Sequence, residues 1–169
     1  VWNLAQHLSG ARLRFKTDSS CIKVRVRQPF VEMANMSPMG HSGIDLYIGS
    51  PDRMTYWGTS KMTFSAFKTD APYEHTYFEA ASRSVRDVTL YLPLYNALAE
   101  LDIGLDADAV IEPPSPYANE KPIVFYGTSI TQGGCASRPA NAYASMLGQL
   151  LDSDFINLGF SGNGMGETE

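Results

Sequence analysis

Residues 122–134, Pro-Ile-Val-Phe-Tyr-Gly-Thr-Ser-Ile-Thr-Gln-Gly-Gly, carry most of what the sequence says about fold and function. The apolar run at 122–126 is too short for a helix and rich in branched and aromatic residues, which is typical of a buried strand. Ser129 follows Gly127 by two positions. Because open parallel sheets bind ligands at the carboxyl ends of their strands, Ser129 is a candidate nucleophile. Taken alone, the same position also suits a turn serine or a helix N-cap.

A helix and a second strand are predicted after this loop. Pro139 suits a first helical turn, and five apolar residues then share one helical face: Tyr143, Met146, Leu147, Leu150 and Leu151. Residues 154–158 are predicted to form a strand, and a second glycine-rich loop follows at 159–164. Such strand–helix–strand units are parallel, so both glycine-rich loops leave the same edge of the sheet. We therefore expect Ser129 and Gly162 to lie close together.

The first 112 residues are predicted to be β-rich. Residues 11–16 and 21–27 alternate apolar and polar side chains around a turn cluster, which favours a hairpin. Further strands are predicted at 43–49, 54–57, 73–80, 85–93, 101–105 and 109–111. Short alternating strands at this spacing indicate an antiparallel β-sandwich of jelly-roll-like type. The proline-dense stretch that follows is typical of a stiff connector. We expect a sandwich domain at 1–112, a linker at 113–121 and an α/β segment at 122–169.

The composition restricts the classes of partner and cofactor. The chain has 169 residues, 44% hydrophobic and 18% charged, with a formal net charge of -5, which is ordinary for a soluble globular protein. The negative charge argues against nucleic-acid or anionic-membrane partners, and no apolar run reaches the roughly 18 residues that span a bilayer. The start has no basic segment followed by an apolar one, so a signal peptide is either absent or already removed. Cys21 and Cys135 are too few for a metal cluster or a disulfide framework.

At this point the residues resemble the SGNH (GDSL-type) hydrolase superfamily. Residues 127–133 match its first block, Gly-x-Ser followed by a glycine, with Thr128 where many members have Asp. Residues 157–164 match its second block, with Gly162 in the functional position. Residues 43–47, Gly-Ile-Asp-Leu-Tyr, fit the Gly-x-Asp-Leu-Tyr signature of a β-sandwich domain that precedes some SGNH esterases. The resemblance implies a sandwich followed by the first β-α-β part of a three-layer α/β/α hydrolase domain.

The resemblance also implies a reaction, ester hydrolysis through an acyl-enzyme. Ser129 would be the nucleophile, and the backbone N–H groups of Ser129 and Gly162 would stabilise the oxyanion. Asn163 is a candidate substrate contact, although asparagine in such a loop more commonly braces nearby backbone. The expected substrate is a small-molecule or glycan ester with a short acyl group, first of all an O-acetyl group on a carbohydrate. Neither a metal nor an organic cofactor is expected.

Two further blocks of the family are absent from these residues: an asparagine that donates to the oxyanion, and an Asp-x-x-His that supplies the base and its acid partner. His7, His41 and His75 all lie in the sandwich region, where the family pattern does not place the base. We therefore expect the chain to be the N-terminal part of a longer esterase and to be inactive alone.

Two alternatives stay open: a non-catalytic glycan-binding sandwich, and an acyltransferase that uses the same serine. The oligomeric state is also open. A glycan substrate would favour a periplasmic or secreted location, and another substrate a cytoplasmic one.

Overall fold

The structure, a computed structural model, describes residues 2–69, 71–164 and 166. Its strands are β1 (Arg12–Thr17), β2 (Cys21–Arg27), β3 (Asp45–Ile48), β4 (Thr55–Thr59), β5 (Tyr73–Glu79), β6 (Arg86–Tyr91), β7 (Glu100–Gly104), β8 (Ile111–Glu112), β9 (Asn119–Gly127) and β10 (Ser153–Gly159). Its helices are α1 (Trp2–Ala5), α2 (Pro38–Ser42), α3 (Phe64–Thr69), α4 (Ser129–Gln132) and α5 (Tyr143–Leu150), with 3₁₀ turns at Pro51–Arg53 and Pro139–Asn141. No helix among these residues is long and apolar enough to cross a membrane.

The first eight strands form the predicted β-sandwich, which is confirmed. One antiparallel sheet has the order β4-β3-β6-β1-β8, and the other has the order β5-β2-β7. Side chains from both sheets meet in one apolar core, which includes Ile22, Val24, Val26, Ile44, Leu46, Val88 and Leu90. All of these are fully buried, so this core is the main source of the hydrophobic stabilisation of the sandwich.

The predicted hairpin of β1 and β2 is wrong. Strand β1 pairs with β6 and β8, whereas β2 pairs with β5 and β7 in the opposite sheet. The chain crosses between the sheets at Ser19 and Ser20, and the Ser20 amide and hydroxyl are both held by Asp106, at 2.6 and 2.8 Å. Alternation of apolar residues specifies which side chains of a strand are buried, but it does not specify which sheet the strand joins.

The larger sheet is covered on both faces. Directly opposed pairs share a face, so Leu46 and Leu90 point into the sandwich core. Tyr47 and Tyr91, on the other face, pack with Ala140, Ala144 and Phe155 of the α/β segment. Strand β3, which carries the Gly-x-Asp-Leu-Tyr motif, therefore packs with one face against the sandwich core and with the other against the α/β segment.

The α/β segment begins as the sequence predicts. Strands β9 and β10 are parallel, with Phe155 opposite Ile123 and Gly159 opposite Gly127. This confirms the β-α-β unit, although β9 begins at Asn119, before the predicted residue 122. Residues 165 and 167–169, the last of the predicted segment, lie outside the described residues.

Helix α5 packs through the face opposite to its apolar one. Ala144, Ser145 and Gly148 are buried, and a Cβ added to Gly148 would lie only 2.5 Å from the Phe155 ring. The apolar face is largely uncovered, since Leu150 is 78% and Met146 55% exposed. Small residues allow the close approach to β10, so the spacing predicts the helix correctly but not the face that this chain buries.

Candidate active site

Ser129 lies where the strand and the following helix meet at a sharp angle. Strand β9 ends at Gly127, Thr128 is extended, and Ser129 is the first residue of α4. A Cβ on Gly127 would lie 2.3 Å from the Thr131 hydroxyl, so the absence of a side chain there leaves room for the Thr131 side chain of α4. The Ser129 hydroxyl is half-buried and makes no hydrogen bond to any described residue.

The second loop folds over the end of β9. The Phe160 amide donates to Gly127 O at 2.9 Å, and the Asn163 amide closes a turn onto Phe160 O, also at 2.9 Å. Gly162 occupies the third position of this turn with φ +72°, the conformation that favours glycine there. A Cβ on Gly162 would meet nothing within 4 Å, so this corner of the loop faces open space.

The structure therefore brings the two predicted loops together at one sheet edge. Within the described residues, the amides of Ser129 and Gly162 donate to no other group, and both are available to a ligand. The Asn163 side chain donates to Ser161 O at 3.0 Å, so it braces its own loop in this structure. The catalytic roles of Ser129 and Gly162, and a substrate contact by Asn163, stay predictions.

The short helix α4 is held by groups from outside it. Tyr95 Oη donates to Ser129 O at 3.0 Å, and Asn157 Nδ2 donates to Thr131 O at 2.7 Å. The Ser9 hydroxyl donates to Gln132 O. Helices leave their last carbonyls without internal partners, and here side chains from the sandwich and from β10 supply them. A four-residue helix thereby acquires a fixed position.

Asp45 of the Gly-x-Asp-Leu-Tyr motif holds the loop that joins α4 to α5. Its carboxylate is fully buried and accepts from Arg138 Nη1 at 3.0 Å, the Ala140 amide at 2.8 Å and the Thr59 hydroxyl at 2.6 Å. Arg138 also donates to Tyr47 Oη at 2.8 Å. Burial raises the pKa of Asp45, and these donors oppose that shift. The motif thus fixes the α/β segment on the sandwich.

None of the three histidines is hydrogen-bonded to Ser129 in the described part of the chain. His7 Nδ1 lies 3.0 Å from Gln132 Nε2, and His41 Nδ1 lies 2.6 Å from the Ser42 hydroxyl. His75 packs edge-on against Tyr77. Burial lowers the pKa of each of the three imidazoles below the ordinary 6.5, which favours their neutral form.

The described residues contain no group of three or more His, Cys, Asp or Glu side chains with the geometry of a metal site. A groove of about 800 Å³ lies between the 3₁₀ turn at Pro51–Arg53 and helix α5. Ser129 and Gly162 do not line it. The groove borders the uncovered face of α5 rather than the candidate nucleophile.

Sequence reasoning missed the residues that support the site rather than those that form it. Local patterns do not indicate Tyr95, Gln132 and Arg138, because their partners are 29 to 125 positions away along the chain. One signal was present: Asp45 is an acidic residue inside an otherwise apolar strand. Such a residue needs a buried partner.

Comparison with known protein families identifies the chain. A family model named GxDLY, described as the N-terminus of SGNH hydrolase-type esterases, matches residues 1–111. The chain belongs to this family. A second model, the GDSL-like lipase/acylhydrolase family, matches residues 120–169 of the GxDLY chain. No curated protein gives a significant match.

Solved structures similar to the GxDLY chain agree with this assignment. A protein from Bacteroides ovatus ATCC 8483 described as a GDSL-like lipase is 33% identical, with a TM-score of 0.86 over 98% of this chain and 48% of its own. The salicylyl-acyltransferase SsfX3 is 24% identical, with a TM-score of 0.66 over 94% of this chain and 41% of its own. A family two carbohydrate esterase from Clostridium thermocellum, in complex with cellohexaose, is 13% identical, with a TM-score of 0.57 over 92% and 46%. The GxDLY chain thus spans about half the length of these proteins.

Proposed function

We propose that this chain supplies the nucleophile and part of the oxyanion site of a serine esterase of the SGNH type. The proposal rests on three groups at one sheet edge that make no hydrogen bond to a described residue. The Ser129 hydroxyl and the amides of Ser129 and Gly162 have no partner among the described residues. Ser129 is half-buried and Gly162 is exposed, so these donors at one sheet edge are accessible to a ligand oxygen, as oxyanion donors must be.

The chemistry follows from these groups. The Ser129 hydroxyl attacks the ester carbonyl, and the two amides donate to the oxygen that becomes negative. Each such donor contributes about 3 kcal/mol in the transition state. The alcohol leaves with a proton, and water then releases the acyl group from the serine. The resemblance assigns the base to an Asp-x-x-His block that these residues lack, and the three histidines are bound elsewhere. The 169-residue chain alone is therefore proposed to be inactive.

The proposed substrate is a carbohydrate ester with a short acyl group, most simply an O-acetyl group. A carbohydrate esterase is among the proteins that share the fold, and a Cβ on Gly162 would meet no described atom within 4 Å. An acyltransferase also shares the fold, so transfer of the acyl group to an alcohol other than water is the second candidate. In the remaining alternative the sandwich binds a glycan without catalysis.

The test measures turnover of p-nitrophenyl acetate and of an acetylated oligosaccharide. The enzyme assayed contains this chain together with the rest of the hydrolase domain. We expect saturable turnover that Ser129→Ala abolishes, and no turnover above background by residues 1–169 alone. Acyl transfer to added alcohols that outruns hydrolysis would favour the acyltransferase. Turnover that persists in Ser129→Ala would contradict the proposal.

A further inference from the structure

Gln132 connects three segments of the molecule: helix α4, the sandwich and the loop after β10. It is the last residue of α4, three positions after Ser129, and is 1% exposed. Its Nε2 donates to Leu94 O at 3.2 Å and to His7 Nδ1 at 3.0 Å, and its Oε1 accepts from the Ser161 amide at 2.8 Å. Both N–H donors and the oxygen of the amide are therefore used.

These bonds join separate segments of the chain. Leu94 follows β6, the last strand of the sandwich before β7, and His7 precedes β1. Ser161 belongs to the loop after β10 and directly precedes Gly162. The glutamine amide thus bridges the sandwich and the loop that carries the proposed oxyanion donor, while its backbone belongs to the helix of the proposed nucleophile.

The bond to Ser161 bears on the Gly162 amide through the turn. Ser161 and Gly162 are the two central residues of the turn that the Asn163 amide closes onto Phe160 O. In such a turn the peptide between the central residues can adopt two opposite orientations. The Gln132 bond holds the peptide between Phe160 and Ser161. The next peptide, which carries the Gly162 N–H, has Ser161 O as its carbonyl, and Asn163 Nδ2 donates to that oxygen at 3.0 Å. These two bonds, with Gly162 at φ +72°, together hold the orientation of the Gly162 N–H.

We propose that Gln132 is a positioning residue that couples the sandwich to the oxyanion loop. The inference rests on the proposed function, because it assigns Gln132 to the geometry of the Gly162 donor. Gln132 does not touch the reacting atoms. It holds the peptide that precedes the donor peptide, together with the Asn163 side chain on Ser161 O, and the GxDLY sandwich is thereby part of the catalytic geometry.

The test compares Gln132→Met with wild type in the enzyme that contains the whole hydrolase domain. Methionine keeps the volume and removes all three hydrogen bonds. Because a misdirected oxyanion donor weakens binding of the transition state but not of the substrate, we expect kcat to fall about tenfold or more with KM changed less than about threefold. Gln132→Glu keeps an acceptor for the Ser161 amide, so it should retain more kcat than Gln132→Met.

The control is Gln28→Met. Gln28 is also buried, 4% exposed, and its Nε2 donates to Ser42 O at 3.1 Å within the sandwich. Its Oε1 has no partner among the described residues, so Gln28→Met loses one hydrogen bond rather than three. We expect a smaller loss of thermal stability than in Gln132→Met, with kcat unchanged. An equal loss of kcat in both variants, an unchanged kcat in Gln132→Met, or a change confined to KM would each overturn the inference.

Two further measurements separate the possible failures. Amide hydrogen exchange in the wild-type enzyme requires no variant, and it should show slow exchange at Ser161. Rapid exchange there would overturn the inference even if Gln132→Met did not fold. Loss of turnover in Ser129→Ala tests the proposed function itself. Full activity of Ser129→Ala would contradict that function, whereas an inactive Ser129→Ala beside a fully active Gln132→Met would contradict only the role of Gln132.

Discussion

Asp45 and Arg138 form an ion pair across the boundary between the sandwich and the α/β segment. Arg138 Nη1 lies 3.0 Å from Asp45 Oδ2, and the Asp45 side chain is fully buried while that of Arg138 is 19% exposed. The Arg138 guanidinium also lies 3.9 Å from the Tyr56 ring centroid. The acidic residue of the family signature is thus bound by the loop that leads from the candidate nucleophile into α5.

Removal of the Arg138 charge should destabilise the protein strongly. In Arg138→Met the Asp45 carboxylate keeps its two other donors but loses its counter-charge in a buried site. Breaking one side of a buried pair costs about 3–5 kcal/mol, and urea unfolding measures this cost. Arg25→Met, which breaks the exposed pair with Asp102, should cost less than about 1 kcal/mol. Equal costs in the two variants would contradict a structural role for the Asp45–Arg138 pair.

The contact between Gly159 and α4 should tolerate no side chain. A Cβ there would lie 2.1 Å from Gln132 N, which is backbone and cannot move alone. We expect Gly159→Ala to lower the free energy of unfolding by about 1–3 kcal/mol. Gly58→Ala is the matched change, because its Cβ would meet only Tyr77 at 3.6 Å. The Gly58 variant should be as stable as wild type or slightly more stable, and thermal unfolding of both variants checks the contrast.

Substitutions on the two faces of α5 should affect stability differently, because one face is exposed in this chain and the other is buried. In the 169-residue chain, Met146→Gln and Leu150→Gln should change stability by less than about 0.5 kcal/mol, as exposed positions do. Both should reduce self-association, measured by sedimentation velocity, because they shrink an apolar patch. Ala144→Gln, on the buried face, should unfold the segment. If Leu150→Gln destabilised this chain as much as Ala144→Gln, the described packing of α5 would be wrong.

The three histidines, of which His41 is buried and the other two are half-buried, should make stability depend on pH between about 5 and 7. The pKa values of His7, His41 and His75 are lowered in the folded chain by burial, from an ordinary 6.5. Below pH 6.5 the unfolded chain therefore binds more protons than the folded one. The free energy of unfolding should fall as pH falls through this window and be fully present above it.

His41→Gln should reduce that slope, because His41 is the most buried of the three. Urea unfolding at pH 5, 6 and 7 gives the slope for each protein. Carboxylates with lowered pKa values, such as Asp18 and Glu100, contribute at lower pH. A slope of the opposite sign in the wild-type chain would contradict the neutral state of the imidazoles.

The sequence predicts the local elements of this fold better than their partners. Alternation at 21–27 and the apolar run at 122–126 specify strands, because a two-residue period and a short apolar run are properties of neighbouring residues. Strands β1 and β2 lie in different sheets because of pairings such as Arg12 with Tyr91. No pattern among neighbouring residues indicates such a pairing. For the same reason Ser129 and Gly162 could be selected from their motifs, whereas Gln132 and Tyr95 could not.

The helical face of α5 illustrates a different limit. The spacing of Met146 and Leu150 indicates an apolar surface, and that surface exists. Which surface this chain buries depends instead on Gly148, whose lack of a side chain allows contact with Phe155. The apolar face of α5 is the surface that we expect a complete domain to cover. The face of small residues is the one that packs closely against β10 in this chain.

The most direct test of the central claim, that Ser129 is an activated nucleophile, is labelling by a fluorophosphonate. The enzyme that contains this chain and the rest of its hydrolase domain is treated with the probe, and the modified peptide is identified by mass spectrometry. The account predicts one label per molecule, on Ser129, and its loss in Ser129→Ala. Absence of any label, or a label on another residue that persists in Ser129→Ala, would contradict the account.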